Sequence, residues 1–304
     1  MNNRMIFLLS LLASLLLPLA QARGAAATGT VPHRGALYRI RHHGNTTYLF
    51  GTIHVGLPSF FPLEPEVMQA LAGSRRLVVE LDARNGAAFQ QALQRHGLYA
   101  ENDSIERHLS GAALARLKQA LQHFDIPYER AARMKPWLLA NLLTGLNLAR
   151  HGYQRSQGIE FHLLALADKR KMAVQELESA DYQMALFDDM AEHEQEQYLL
   201  ENLTRLDDGA ALKQDVAMID AWAHANDKAI ESMLHDSMTE KPASAAFTQR
   251  VLLDKRNPQM ADKIAALLDE GDASFVAVGL LHLVGENGIP SLLKQKGYVV
   301  EKLY

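Results

Sequence analysis

The chain contains no cysteine among its 304 residues. That excludes structural disulfides, thiolate metal sites, a cysteine nucleophile and lipid attachment through an N-terminal cysteine. An exported protein without cysteine suits a bacterial periplasm better than an animal secretome. A surplus of either charge is also lacking: 31 Lys and Arg stand against 35 Asp and Glu, for a formal charge of −4. No basic excess marks nucleic acid or an anionic lipid surface as a partner. Absent too are a GxSxG elbow, a Walker loop and a Gly-rich dinucleotide fingerprint, since "GENG" from Gly285 is too poor in glycine and reads as a turn. Outside the N terminus there is no apolar run long enough to cross a bilayer.

The N terminus has its own logic. Asn2, Asn3 and Arg4 form a short polar, positive start, residues 5–19 are almost entirely apolar, Pro18 breaks the run, and Ala20-Gln21-Ala22 supplies an A-x-A cleavage site. Residues 1–22 therefore read as a secretory signal peptide, and the mature chain is expected to begin at Arg23. The run is short of the roughly 20 residues of a comfortable span, so an uncleaved anchor fits less well. A periplasmic or secreted bacterial protein, with no stable membrane insertion after cleavage, is the expectation.

Beyond a small, Gly-rich stretch ending near Val31, strands and helices separate by period. "ALYRIRHHGNTTYLF" reads as a hairpin turning at His43-Gly44-Asn45, where Gly and Asn tolerate positive φ. "RRLVVELD", "MAVQELE", "SFVAVG" and "GYVVEKL" read as further strands. Leu114, Leu117, Leu121 and Phe124 recur at helical spacing; so do Leu212, Val216, Ile219 and Trp222, and again Met260, Ile264, Leu267 and Leu268. These stripes are core faces. The fold expected is α/β: a mixed central sheet with flanking helices, one domain over residues 23–304 with a helical insertion at about 109–268.

Two strands end alike. "YLFGTIH" places Gly51 three residues before His54, and "FVAVGLLH" places Gly279 three residues before His282. Glycine permits a tight turn off a strand end, and the side chain three residues on is presented where open α/β sheets build their sites. One such spacing is most simply a turn histidine, but two copies at matching places point to a shared metal or proton-transfer site. Two imidazoles leave a catalytic metal site incomplete. Glu80, at the end of "LVVELD", is the strongest third group, as a ligand or a base; Asp82 is second. Glu160 in "QGIEFHLL" is more simply a first-turn acid on a helix. "HEQEQ" at His193 lacks the second histidine of a zinc-protease motif and reads as an exposed helical face, and His42-His43 as a hairpin tip.

Taken in order, "GTIHVG", "VVELD", "MKPWLL", "QGIEFHLLALADKRKMAVQELES", Arg256-Asn257 and "GLLHLVGENGIPSLLKQKGYVVEKL" resemble the TraB/GumN family, which includes the animal Tiki proteases. The resemblance spans roughly Leu37 to Leu303. It implies an α/β fold related to the erythromycin-esterase and ChaN proteins, with two GxxH histidines, a strand-end Glu and a late Arg in one cleft, here His54, His282, Glu80 and Arg256. It further implies a metal-dependent hydrolase, as Tiki-type members are manganese- or cobalt-dependent metalloproteases. On that reading His54, His282 and Glu80 hold a divalent ion (Mn, Co or Zn), Glu80 serving as ligand or general base. Arg256 stabilises the oxyanion as water attacks a carbonyl of a peptide or protein substrate. The alternative is a binding protein of the same fold that sequesters haem, a metal or a peptide without turnover.

Overall fold

The alternating runs on either side of His43 form the hairpin expected of them, β1 (Leu37–His42) and β2 (Asn45–Thr52). The turn is a tight two-residue loop with positive φ at His43 (46°) and Gly44 (88°), the geometry that matches the twist of paired strands. The positive φ falls on His43 and not on Asn45, because Asn45 is already paired with His42 in the ladder. Its side-chain amide instead donates to Leu268 O at 2.7 Å. This computed structural model describes residues 32–240 and 242–304, so the expected signal peptide and cleavage site lie outside the described residues.

Four more strands complete one sheet: β3 (Arg76–Val79), β4 (Ala173–Glu176), β5 (Ser274–Gly279) and β6 (Val299–Lys302). The order is β4-β3-β5-β2-β1-β6. β4, β3, β5 and β2 run parallel, while β1 and β6 are antiparallel to their neighbours. β5 lies at the centre and its Phe275, Val276, Ala277 and Val278 are wholly buried, which is why this stretch is continuously apolar and not alternating. The fold is α/β, a mixed six-stranded sheet with flanking helices.

Helices cover the sheet where their stripes demand it. Met260, Ile264, Leu267 and Leu268 of the helix Arg256–Asp269 are all buried in the main core with the strand residues. Leu117 and Leu121 belong to a second cluster, built with the helices Pro136–Arg150 and Glu192–Asp207; Leu114 and Phe124 pack against it half-buried. A third, smaller cluster gathers Phe89, Trp137, Leu138 and Met184. Within the largely helical middle the chain returns once to the sheet, through the helix Ile159–Arg170 and β4. Trp222, fully buried, ties that helical region to the hairpin, donating its indole N–H to Gly51 O at 2.9 Å. Among the described residues no helix is long and apolar enough to cross a membrane.

Candidate metal and catalytic site

The four parallel strands end on one side of the sheet, and each end delivers polar groups. His54 lies two residues past β2, Glu80 directly follows β3, and Glu178 lies two residues past β4. β5 ends at Gly279 and runs into the 3-10 turn Leu280–Leu283, which carries His282. Such strand ends are where open α/β sheets place their ligands.

The point of convergence is Gly279. A Cβ at that position would lie 3.2 Å from Glu80 Oε1, 3.5 Å from His54 Nε2 and 3.7 Å from His282 Cδ2. Three of the residues singled out by sequence thus surround one spot above the central strand. Only a residue without a side chain leaves that spot open.

Glu80 is held from several sides. Its Oε1 accepts the Gly279 N–H at 2.5 Å and lies 3.6 Å from His282 Nε2; its Oε2 accepts from Arg256 Nη2 at 2.6 Å. Burial alone would raise its pKa, but the imidazoles, the Arg256 guanidinium and the Gly279 N–H outweigh that and bring it down to about 2. The carboxylate is ionised throughout the neutral range.

Each histidine has one ring nitrogen tied off. His282 Nδ1 lies 2.6 Å from Asn257 Oδ1, and Asn257 Nδ2 donates to Asn287 O at 2.8 Å. The second bond fixes the amide's orientation, so His282 must carry its proton on Nδ1 and present a lone pair at Nε2. Burial presses its pKa down to about 4 against the pull of Glu80, keeping the ring neutral. His54 Nδ1 lies 2.8 Å from Glu160 Oε1, which also accepts the Thr52 hydroxyl. The Glu160 charge raises the His54 pKa. The His54 side chain is 62% exposed, at the mouth of a cleft.

The backbone beneath His54 is closely zipped to the start of the following helix. Ile159 N donates to Ile53 O at 3.0 Å, Gly56 bridges to Gln154, and a Cβ on Gly158 would lie 2.6 Å from His54 O. Glycine at 158 is what permits this approach, and the approach brings Glu160 against His54.

Arg256 is 6% exposed. Its Nε lies 3.0 Å from both oxygens of Glu178, and Nη2 reaches Glu178 Oε2 at 2.7 Å as well as Glu80. Burial would lower its pKa, but Glu80 and Glu178 raise it. It clamps two buried carboxylates. Its Nη1 makes only a long bond, to Leu252 O at 3.4 Å, and the residue is among those that line the cleft.

The donors present suit a divalent ion in kind. Two imidazole Nε2 atoms and a carboxylate oxygen are the ligands that Mn, Co and Zn share. The Nδ1 nitrogens bound to Glu160 and Asn257 provide the outer support that metal-ligating histidines require. Among the described residues, no three His, Cys, Asp or Glu side chains already stand as a finished metal cage; Glu80 is turned to Arg256 and Gly279. Asp82 is instead bonded to Arg84 and does not line the cleft. His193 sits exposed on the helix Glu192–Asp207.

From this site a cavity of about 500 Å³ runs under the helical layer. Phe89, Trp137, Leu138, Leu148, Met184 and Phe187 form its apolar wall, and Gln183, Asn141 and Arg155 add polar groups. Glu178, Asn257, Gln183 and Arg155 had no assigned role from sequence. Glu178 had a discernible signal: like Glu80, it is an acid just past the end of a parallel strand.

Residues 36–302 match the TraB/PrgY/gumN family. The chain belongs to that family. It is 26% identical over 257 residues to the uncharacterized protein YbaP of Shigella flexneri, covering 82% of this chain and 88% of YbaP. YbaP of Escherichia coli strain K12 matches at 26% over 256 residues, covering 81% and 87%. The protein named metalloprotease TIKI2 of Xenopus tropicalis is 25% identical over 311 residues, covering 87% of this chain and 59% of TIKI2. No solved structure matches significantly.

Proposed function

We propose that the protein is a periplasmic, metal-dependent hydrolase that cleaves peptide bonds. The observation that carries this reading is the convergence of His54 Nε2, His282 and Glu80 on the space above Gly279, with both Nδ1 positions already bound to acceptors. The relative named as a metalloprotease supports it. His54, His282 and Glu80 would hold the ion, which supplies Lewis acidity and lowers the pKa of water toward about 7.

The protein's own groups then divide the work. A carboxylate held near 2 is a weak proton acceptor, so Glu80 is better suited to ligation than to base catalysis. Arg256 fixes Glu80 through Nη2 and offers Nη1 to the oxygen that gains charge in the tetrahedral intermediate. Glu160 and Asn257 keep the two imidazoles oriented, and the apolar cavity wall excludes water from the bound substrate. The test is chelation and add-back on purified mature protein with a peptide library. Cleavage that is abolished by chelation and restored by Mn, Co or Zn is expected. Metal or haem binding with no cleavage of any peptide would instead favour a sequestering protein.

A further inference from the structure

Two guanidinium groups border the cavity, and they are in opposite states. Arg256 is paired through Nε and Nη2 with Glu80 and Glu178. Arg155, half-buried in the turn Arg155–Gln157, makes no side-chain hydrogen bond or ion pair among the described residues; its contact is the Phe161 ring, 5.9 Å from Cζ. Glu160 attracts it without bonding to it; the Oε1 of that carboxylate is engaged by His54 and Thr52. The placement of Arg155 is nonetheless firm. The bridge between Gln154 and Gly56 and the bond from Ile159 N to Ile53 O lock its segment against the strand exit that carries His54.

A half-buried guanidinium with no hydrogen-bonded acceptor among the described residues, fixed beside the reacting groups and lining an apolar cavity, calls for an anion that arrives with the ligand. We propose that Arg155 binds a substrate carboxylate, and that the favoured substrate is a short peptide ending in a large apolar residue. The side chain would fill the cavity against Trp137, Phe187 and Met184, the terminal carboxylate would meet Arg155, and the preceding carbonyl would lie toward His54 and Glu80. A cavity of about 500 Å³ accommodates a ligand of this size. The inference deepens the hydrolase reading, and cleavage at the last peptide bond rests on it, but the carboxylate preference is a property of binding alone.

The probe is N-acetylphenylalanine, compared with its C-terminal amide, with binding read from Trp137 fluorescence and by calorimetry, with and without chelator. The other tryptophan, Trp222, is fully buried away from the cavity, so a ligand-induced change reports Trp137. The free acid is expected to bind at least about tenfold more tightly than the amide. Arg155→Gln is expected to abolish the difference with an unchanged melting temperature, and Arg155→Lys to retain part of it. N-acetylaspartylphenylalanine amide tests the source of the carboxylate: binding that matches the free acid and is lost in Arg155→Gln would move the anion from the chain end to a side chain. Equal binding of acid and amide, or a preference that survives Arg155→Gln, would overturn the proposal even if metal-restored cleavage is seen. Acid preference without cleavage of any peptide would uphold it and remove the hydrolase reading.

Discussion

At the scale of single residues, two buried charged groups behave differently because one is compensated and the other is not. Arg256 is enclosed by Glu80 and Glu178, so its removal strands two carboxylates. Arg256→Ala should cost about 3–5 kcal/mol of stability. Arg256→Lys, which keeps the charge but loses the planar fork, should fold and lower turnover by roughly 10² to 10³. Denaturation and single-turnover kinetics on both variants check this; normal turnover in Arg256→Lys would reduce the arginine to a structural clamp. Glu64, by contrast, is fully buried with neither oxygen accepting a hydrogen bond among the described residues, and Arg34 Nη1 stands 4.0 Å away. Burial pushes its pKa from 4.5 up to about 6, the Arg34 charge opposing. Because the folded state holds this proton more tightly, the contribution is full below 4.5 and is lost as pH rises through about 6. The loss is about 2 kcal/mol. Glu64→Gln should therefore melt higher than the parent at pH 7.5, and lose the advantage at pH 4. Parallel melting curves in which the two proteins keep a constant gap would refute this.

At the scale of elements, the site is assembled by strand ends, and that determined what could be read from the chain. The six strands and both GxxH exits were legible because short Val-rich runs and glycine punctuation are local signals. So was Glu80, directly after β3. The contacts that support them were not, because the partners are far apart in sequence: Asn257 meets His282 across 25 positions, and Arg256, singled out only through the family resemblance, meets Glu80 across 176. Asn257 shares a helix with the Met260 and Ile264 stripe, and nothing in that stripe reveals which residue of the first turn will face an imidazole. Arg155 was hidden for another reason, since a missing partner has no sequence signature. The end of β5 yields a prediction of its own. Gly279 has φ −53°, so alanine is conformationally permitted there, yet its Cβ would press on Glu80 at 3.2 Å and crowd both imidazoles. Gly279→Ala is expected to keep its far-UV spectrum and lose metal affinity on the order of 10- to 100-fold, the range seen when the support of a metal ligand is disturbed. Calorimetric titration with Mn or Co measures it, and unchanged affinity would place the ion elsewhere.

At the scale of the whole molecule, one helix decides whether the helical layer is a separate body. Pro136–Arg150 is apolar on nearly all sides, and its residues divide among all three clusters: Leu148 in the sheet core, Leu139, Ala140, Leu142 and Leu143 in the helical core, Trp137 and Leu138 in the cluster under the cavity. A helix buried all round cannot leave one cluster without exposing its apolar faces in the others. Damage to the helical core should therefore propagate to the sheet. Leu139→Ala, at a fully buried position, should cost about 2–5 kcal/mol. In a Trp137→Phe background the remaining tryptophan, Trp222, reports the sheet core to which it belongs, while far-UV circular dichroism reports mainly the helices. Both signals are expected to shift to the same lower midpoint in Leu139→Ala, as one cooperative unit requires. A helical transition that moves down while Trp222 keeps the parent midpoint would make the layer an independently folding domain, and the cavity beneath it an interface between two bodies.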